Sequence, residues 1–87
     1  MVYLIAYTLN NPIPNDHLIH AIKTCGDWAH CLGDAWLVQS DDSSKYLFDI
    51  LHPYLGEHDY MFITEVNNNH FGCLDHGIWR WLAKKGY

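Results

Sequence analysis

An α+β sandwich is predicted by three features of the sequence. Four strand-length segments are rich in apolar and aromatic residues. Two longer segments repeat apolar residues at helical spacing. Capping residues and Pro or Gly breaks separate them in the order β-α-β-β-α-β, with one more short helix after. The 87 residues are 49% hydrophobic, enough for one core without disulfide or metal staples. No repeat, linker or low-complexity tract divides the chain, so 1–87 reads as a single domain.

The first strand, "VYLIAYTL" at 2–9, is apolar on both parities. Val2, Leu4 and Ala6 face one way; Tyr3, Ile5, Tyr7 and Leu9 face the other. Such a strand is covered on both faces. "NNPIPND" is a loop with two prolines, and Asn15 or Asp16 caps a helix over His17–Cys25. Leu18, Ile22 and Cys25, helped by Ala21, form its buried stripe, and Gly26 ends it. "WAHCL" and "AWLVQS" flank Gly33-Asp34 and read as a hairpin. Asp42 or Ser43 caps the second helix, in which Leu47, Ile50, Leu51 and Tyr54 recur at helical spacing; Pro53 and Gly56 mark its end. "DYMFITEV" is the fourth strand, with Tyr60, Phe62 and Val66 opposing Met61 and Ile63. Asp75 opens a last helix, "HGIWRWLAKK", with an acid at its start and lysines at its end, as the helix dipole favours.

This order is the ferredoxin-like βαββαβ pattern, extended by a short C-terminal helix. Two helices then cover one face of a four-stranded sheet. The first and fourth strands are nonetheless apolar on both sides, and one short helix is too little for a whole second layer. The simplest cover for the rest is a second subunit, sheet against sheet, which predicts a homodimer. Tyr3, Tyr7, Tyr60 and Phe62 are the expected interface residues.

The formal net charge is −5 with histidines neutral, which argues against broad binding to phosphate backbones. Arg80, Lys84 and Lys85 form a local basic exception in the last eight residues. Seven histidines make the charge pH-sensitive near the imidazole range. The apolar runs are far shorter than a membrane span, and no basic stretch with a cleavage site opens the sequence. The expectation is a cytoplasmic protein with no membrane contact. Three irregularly spaced cysteines, Cys25, Cys31 and Cys73, read as free thiols rather than a disulfide framework.

"VYLIAYTLNNP", the hairpin "DWAHCLGDAWLVQS" and "DDSSKYLFDILHPYLGEHDYMFITEV" together resemble the small Cas2-like proteins. These include the CRISPR-associated Cas2 proteins and short bacterial and phage-borne proteins labelled SinR-like. The resemblance covers residues 1–66 and rests on element order and strand patterns; it does not extend to 67–87. It implies a ferredoxin-like homodimer in phage–host or mobile-element biology. Some members are metal-dependent nucleases with an aspartate at the end of the first strand; others are structural parts of nucleic-acid machines. Thr8 matches that aspartate here. A neutral hydroxyl is a poor sole ligand for a hard divalent cation, so the resemblance carries no metal site to this chain.

Other groupings admit chemical readings beside plainer ones. His17 and His20 share a helix face and would need a third ligand to hold a metal. Cys73 and His76 form a C-x-x-H pair, and Cys25, His30 and Cys31 a second cluster, but neither spacing is that of a zinc finger or ribbon. A Cys–His nucleophile would need an oxyanion site that nothing supplies, and buried thiols are the simpler reading. Trp79, Trp81, Arg80, Lys84 and Lys85 mix aromatic and basic groups, as base-stacking surfaces and protein interfaces both do. Ile78, Trp81 and Leu82 are expected to pack inward, leaving Trp79 for a partner.

The sequence is therefore read as a non-catalytic homodimeric interaction protein that binds a protein or nucleic-acid complex. No cofactor and no metal is expected. The residues offered for a partner or ligand are Tyr7, Thr8, Asn10, Asn11, Trp79, Arg80 and Lys84. The alternatives are a Cas2-type metal-dependent endonuclease and a small-ligand binder whose pocket lies at the subunit interface, lined by Tyr7, Asn10 and Asn11.

Overall fold

The computed structural model describes residues 1–11 and 15–87; the two prolines of the predicted first loop, Pro12 and Pro14, lie outside the described residues. The elements follow in the order β1 (Val2–Thr8), α1 (Asp16–Thr24), β2 (Asp27–Leu32), β3 (Ala35–Gln39), α2 (Ser44–Leu51) with a 3-10 turn (His52–Tyr54), β4 (Tyr60–Val66) and α3 (His76–Lys84). The four strands form one sheet in the order β2-β3-β1-β4, every neighbour antiparallel. The architecture is thus α+β, a four-stranded antiparallel sheet with three helices. β1 and β2 run in the same direction with β3 between them. Among the described residues no helix is long and apolar enough to cross a membrane.

Capping fixes where each helix starts. Asn15 accepts from the Leu18 N–H at 3.0 Å and, through its amide Nδ2, donates to the Tyr54 carbonyl at 2.7 Å. The start of α1 is thereby tied to the 3-10 turn that follows α2. Ser43 caps α2 by accepting from the Tyr46 N–H, and Asp75 caps α3 by accepting from the Gly77 N–H. Gly86, at φ +92°, turns the chain after α3, where the Tyr87 N–H bonds the Leu82 carbonyl. That turn returns Tyr87 to the packed side of α3.

The alternation read from β1 holds and sorts the core into two layers. Ile5 and Tyr7 of β1, with Trp36 and Val38 of β3, pack under Leu18, Ile22 and Leu51 of α1 and α2. Leu18 and Ile22 are fully buried, each stabilising by about 1.5–3 kcal/mol relative to exposure. On the other face, Val2, Ala29 and Leu37 pack against Leu82 of α3, with Leu4, Cys31 and Val66 around them. α3 therefore supplies a second layer, over one half of that face. A nine-residue helix is too short to persist alone in water, so its helicity depends on this docking.

Three expectations are corrected. Tyr3 and Tyr7, offered for a dimer interface, are only 3% and 8% exposed. The register places both on the side of α1 and α2; the Tyr3 hydroxyl donates to the Asp42 carbonyl at 2.7 Å, and the Tyr7 hydroxyl accepts from Trp36 Nε1 at 3.1 Å. They are spent inside the chain's own core. Ile50 and Tyr54 do not continue the buried stripe of α2 and remain exposed, because Leu47 and Leu51 already fill the contact and the chain tightens into the 3-10 turn. Trp79 is half-buried against the α3 layer and stacks with His70 at 6.1 Å, so it is not the residue left over.

Candidate functional site

The second sheet face is only half covered. Val2, Leu37 and Ala29 lie under α3, but at the opposite end, where β1 finishes and β4 begins, no layer lies above the sheet among the described residues. Thr8 stands opposite Tyr60 there, and Ala6 opposite Phe62. Tyr60 is 71% exposed and Phe62 68% exposed. Strand alternation explains this: Met61 and Ile63 turn into the α1/α2 core, which forces Tyr60 and Phe62 outward. A shallow groove of ≈ 260 Å³ runs along them, lined by Ala6, Tyr7, Thr8, Tyr60, Met61 and Phe62. The sequence reading brings Thr8, Tyr60 and Phe62 to one surface; its Tyr3 and Tyr7 belong to the layer beneath.

Beyond Thr8 the chain enters an open polar cleft of ≈ 530 Å³ between the β1–α1 loop and the approach to β4. Asn10 and Asn11 line it, together with Asn15, Asp16, His17 and Gly56–Asp59. Asp59 organises this end. One carboxylate oxygen accepts from the Asn10 N–H at 2.7 Å and the other from the Gly56 N–H at 2.6 Å. These two bonds, Asn10 first, hold its acid below the ordinary carboxylate range, with His58 helping. The Asp59 carboxylate, one residue before the Tyr60 that stands opposite Thr8, is thus engaged in pinning backbone. Sequence reasoning passed over Asp59; an acid three residues after Gly56 is the turn signal that marks it.

The metal and nucleophile readings do not assemble. Among the described residues no group of three His, Cys, Asp or Glu side chains is placed to hold a metal ion. Cys25 packs in the α1/α2 layer and Cys31 in the α3 layer, on opposite sides of the sheet. Burial raises the pKa of both thiols, which disfavours the thiolate that zinc or nucleophilic attack requires. Cys73 is exposed in the loop before α3. His17 and His20 are exposed on α1.

Arg80 and Lys84 do not join a surface with the tryptophans of α3, whereas the Lys85 ammonium lies 5.3 Å from the centre of the Trp81 ring. Arg80 and Lys84 are exposed, whereas Trp79 and Trp81 are half-buried against the sheet. Lys85 is paired with Asp27, joining the end of α3 to the start of β2 and lowering the pKa of that acid.

A separate aromatic cluster lies at the β2 side of the α1/α2 face. The His30 ring stacks flat on Trp36 at 4.0 Å, and Trp28 meets Trp36 edge-on at 5.5 Å. The Lys23 ammonium sits 4.5 Å above the Trp28 ring. Sequence reasoning missed it, although a two-residue turn at Gly33-Asp34 sets His30 beside Trp36 as cross-strand neighbours. No family model, no curated protein and no solved structure matches this chain.

Proposed function

We propose that this chain is a small Cas2-like, ferredoxin-fold interaction module that works as a homodimer in the cytoplasm and docks on a protein or nucleic-acid complex of phage–host or mobile-element biology. The strand order β2-β3-β1-β4, with β1 and β2 parallel about β3, supports the ferredoxin-like assignment. The observation that carries the dimer is the half-covered sheet face, where Tyr60 and Phe62 stand exposed on adjacent outward positions of one strand. Contiguous aromatic surface of this kind marks an interaction site, since leaving it in water forgoes burial worth about 25 cal/mol per Å².

Analytical ultracentrifugation of the wild type and of Phe62→Asp over a dilution series tests the reading. The wild type is expected to sediment as a dimer and Phe62→Asp as a folded monomer. Equal sedimentation of the two as monomers would overturn it. Thr8 carries no catalytic role in this reading. Divalent-metal-dependent cleavage of DNA or RNA that is lost in Asp16→Asn or Asp59→Asn would replace it with the endonuclease alternative. The cleft at Asn10 and Asn11 favours a second reading, a small-ligand site, although Tyr7 takes no part in that cleft. A rise in melting temperature with a metabolite, abolished by Asn10→Ala, would support the second reading.

A further inference from the structure

The two edges of the sheet are built differently. β2 is interrupted by a bulge between His30 and Leu32, a device that discourages further pairing. β4 pairs with β1 without a break from Tyr60 to Val66. It contains no proline, no lysine and one charged residue, Glu65. An edge of this kind is a template for another strand. Phe71, in the loop that leaves β4, is 103% exposed, and among the described residues no side chain fills the groove over Ala6, Thr8, Tyr60 and Phe62.

We propose that, in the homodimer on which this inference rests, β4 pairs antiparallel with β4 of a second copy about Ile63, and Phe71 of each copy seats in the groove of the other. The register follows from the residues. Centring the pair on Ile63 sets Tyr60 against Val66, Met61 against Glu65 and Phe62 against Thr64. All seven residues of β4 are then paired, and no two acids meet. Centring on Phe62 sets Glu65 against Asp59, and centring on Thr64 leaves Tyr60 and Met61 without partners.

The same two-fold places the second copy's Val66 beside Tyr60, so its loop 67–75 leaves next to the groove. From the second copy's β4 across this copy's β4 to β1 is about 10 Å, two strand spacings. Five residues from Val66 to Phe71 reach up to about 17 Å when extended, so seating the ring opens the turn in which Asn67 Oδ1 accepts from the Asn69 N–H and the His70 ring bonds the Asn67 carbonyl. The contact is isologous and closes on itself. Tyr60, Phe62 and Phe71 of both copies, at roughly 150–250 Å² per ring, supply most of the roughly 1,200 Å² that a stable interface removes.

The test combines solution mass with a register-specific crosslink. An oxidised equal mixture of Phe62→Cys and Thr64→Cys chains is mapped by peptide mass, which separates the new linkage from those of Cys25, Cys31 and Cys73. Directly opposed strand positions lie within disulfide reach. Because Phe62→Cys trims the groove, Met61→Cys mixed with Glu65→Cys reports the same register from the other face. The expected results are mixed 62–64 and 61–65 disulfides, and a dimer dissociation constant raised ten-fold or more in Phe71→Ser. A wild-type monomer overturns the homodimer reading and this inference with it. A wild-type dimer that forms neither linkage overturns the β4 pairing alone, and a dimer unchanged by Phe71→Ser overturns the seating of Phe71.

Discussion

Truncating Leu82 to alanine separates a docked α3 from a decorative one. Leu82 is 3% exposed and is the one buried residue of that helix. It closes over Val2, Ala29 and Leu37. Removing its branched end forfeits its transfer free energy and leaves a cavity bounded by a rigid sheet, which cannot collapse to fill it. Leucine-to-alanine changes at such sites cost about 2–5 kcal/mol. Because α3 is too short to hold its own helicity, the loss is expected in the upper half of that range, about 3.5–5 kcal/mol. In a domain of this size each 1 kcal/mol moves the melting midpoint by about 4–8 °C. The assay is urea unfolding followed by tryptophan fluorescence, with the midpoint and slope fitted separately. A lowered midpoint at unchanged slope is expected, since α3 and the sheet unfold together. A cost below about 1 kcal/mol would refute the argument that α3 is the second layer of the fold.

Three further substitutions probe particular contacts. Tyr7→Phe keeps the ring but leaves the buried Trp36 Nε1–H without its acceptor, and thermal unfolding is expected to show a loss of about 1–3 kcal/mol; no change would mean that the bond contributes nothing. Gly26→Ala would drive a Cβ into the Gln39 carbonyl oxygen where the chain enters β2, costing about 1–3 kcal/mol in urea unfolding, and a neutral result would contradict the close approach of those backbones. The Asp59 pKa is lowered on folding, so its stabilisation is fully present above the ordinary carboxylate pKa and disappears as pH falls through the folded value. Urea midpoints measured from neutral pH into the acid range are expected to fall less steeply in Asp59→Asn than in the wild type, and parallel profiles would show that Asp59 does not link folding to protons.

The elements were legible because they rest on local rules. Asn15, Ser43 and Asp75 sit where capping requires them, and the parity of β1 and β4 sorted inward from outward residues. What parity could not decide is which side receives α1 and α2. Tyr3 and Tyr7 share a face with Ile5, and that face proved to be the helical one, a choice made by the handedness and length of the connections rather than by β1 itself. Trp79 was misplaced for a related reason. An apolar stripe on α3 gives the helix an inner side, but the half-width of sheet available to it decides how many of its large residues touch. The cluster of His30, Trp28, Trp36 and Lys23 needed the hairpin register and the position of α1 together, and no single segment contains both. The outward pair Tyr60 and Phe62 was readable from alternation alone.

The central claim is that α3 covers one half of the second face and a second copy covers the other. Native mass spectrometry of the untagged protein tests it in one spectrum. A species at twice the 10.2 kDa chain mass is predicted, persisting at micromolar concentration and lost in Phe62→Asp. A wild-type spectrum showing only the single-chain mass would contradict it.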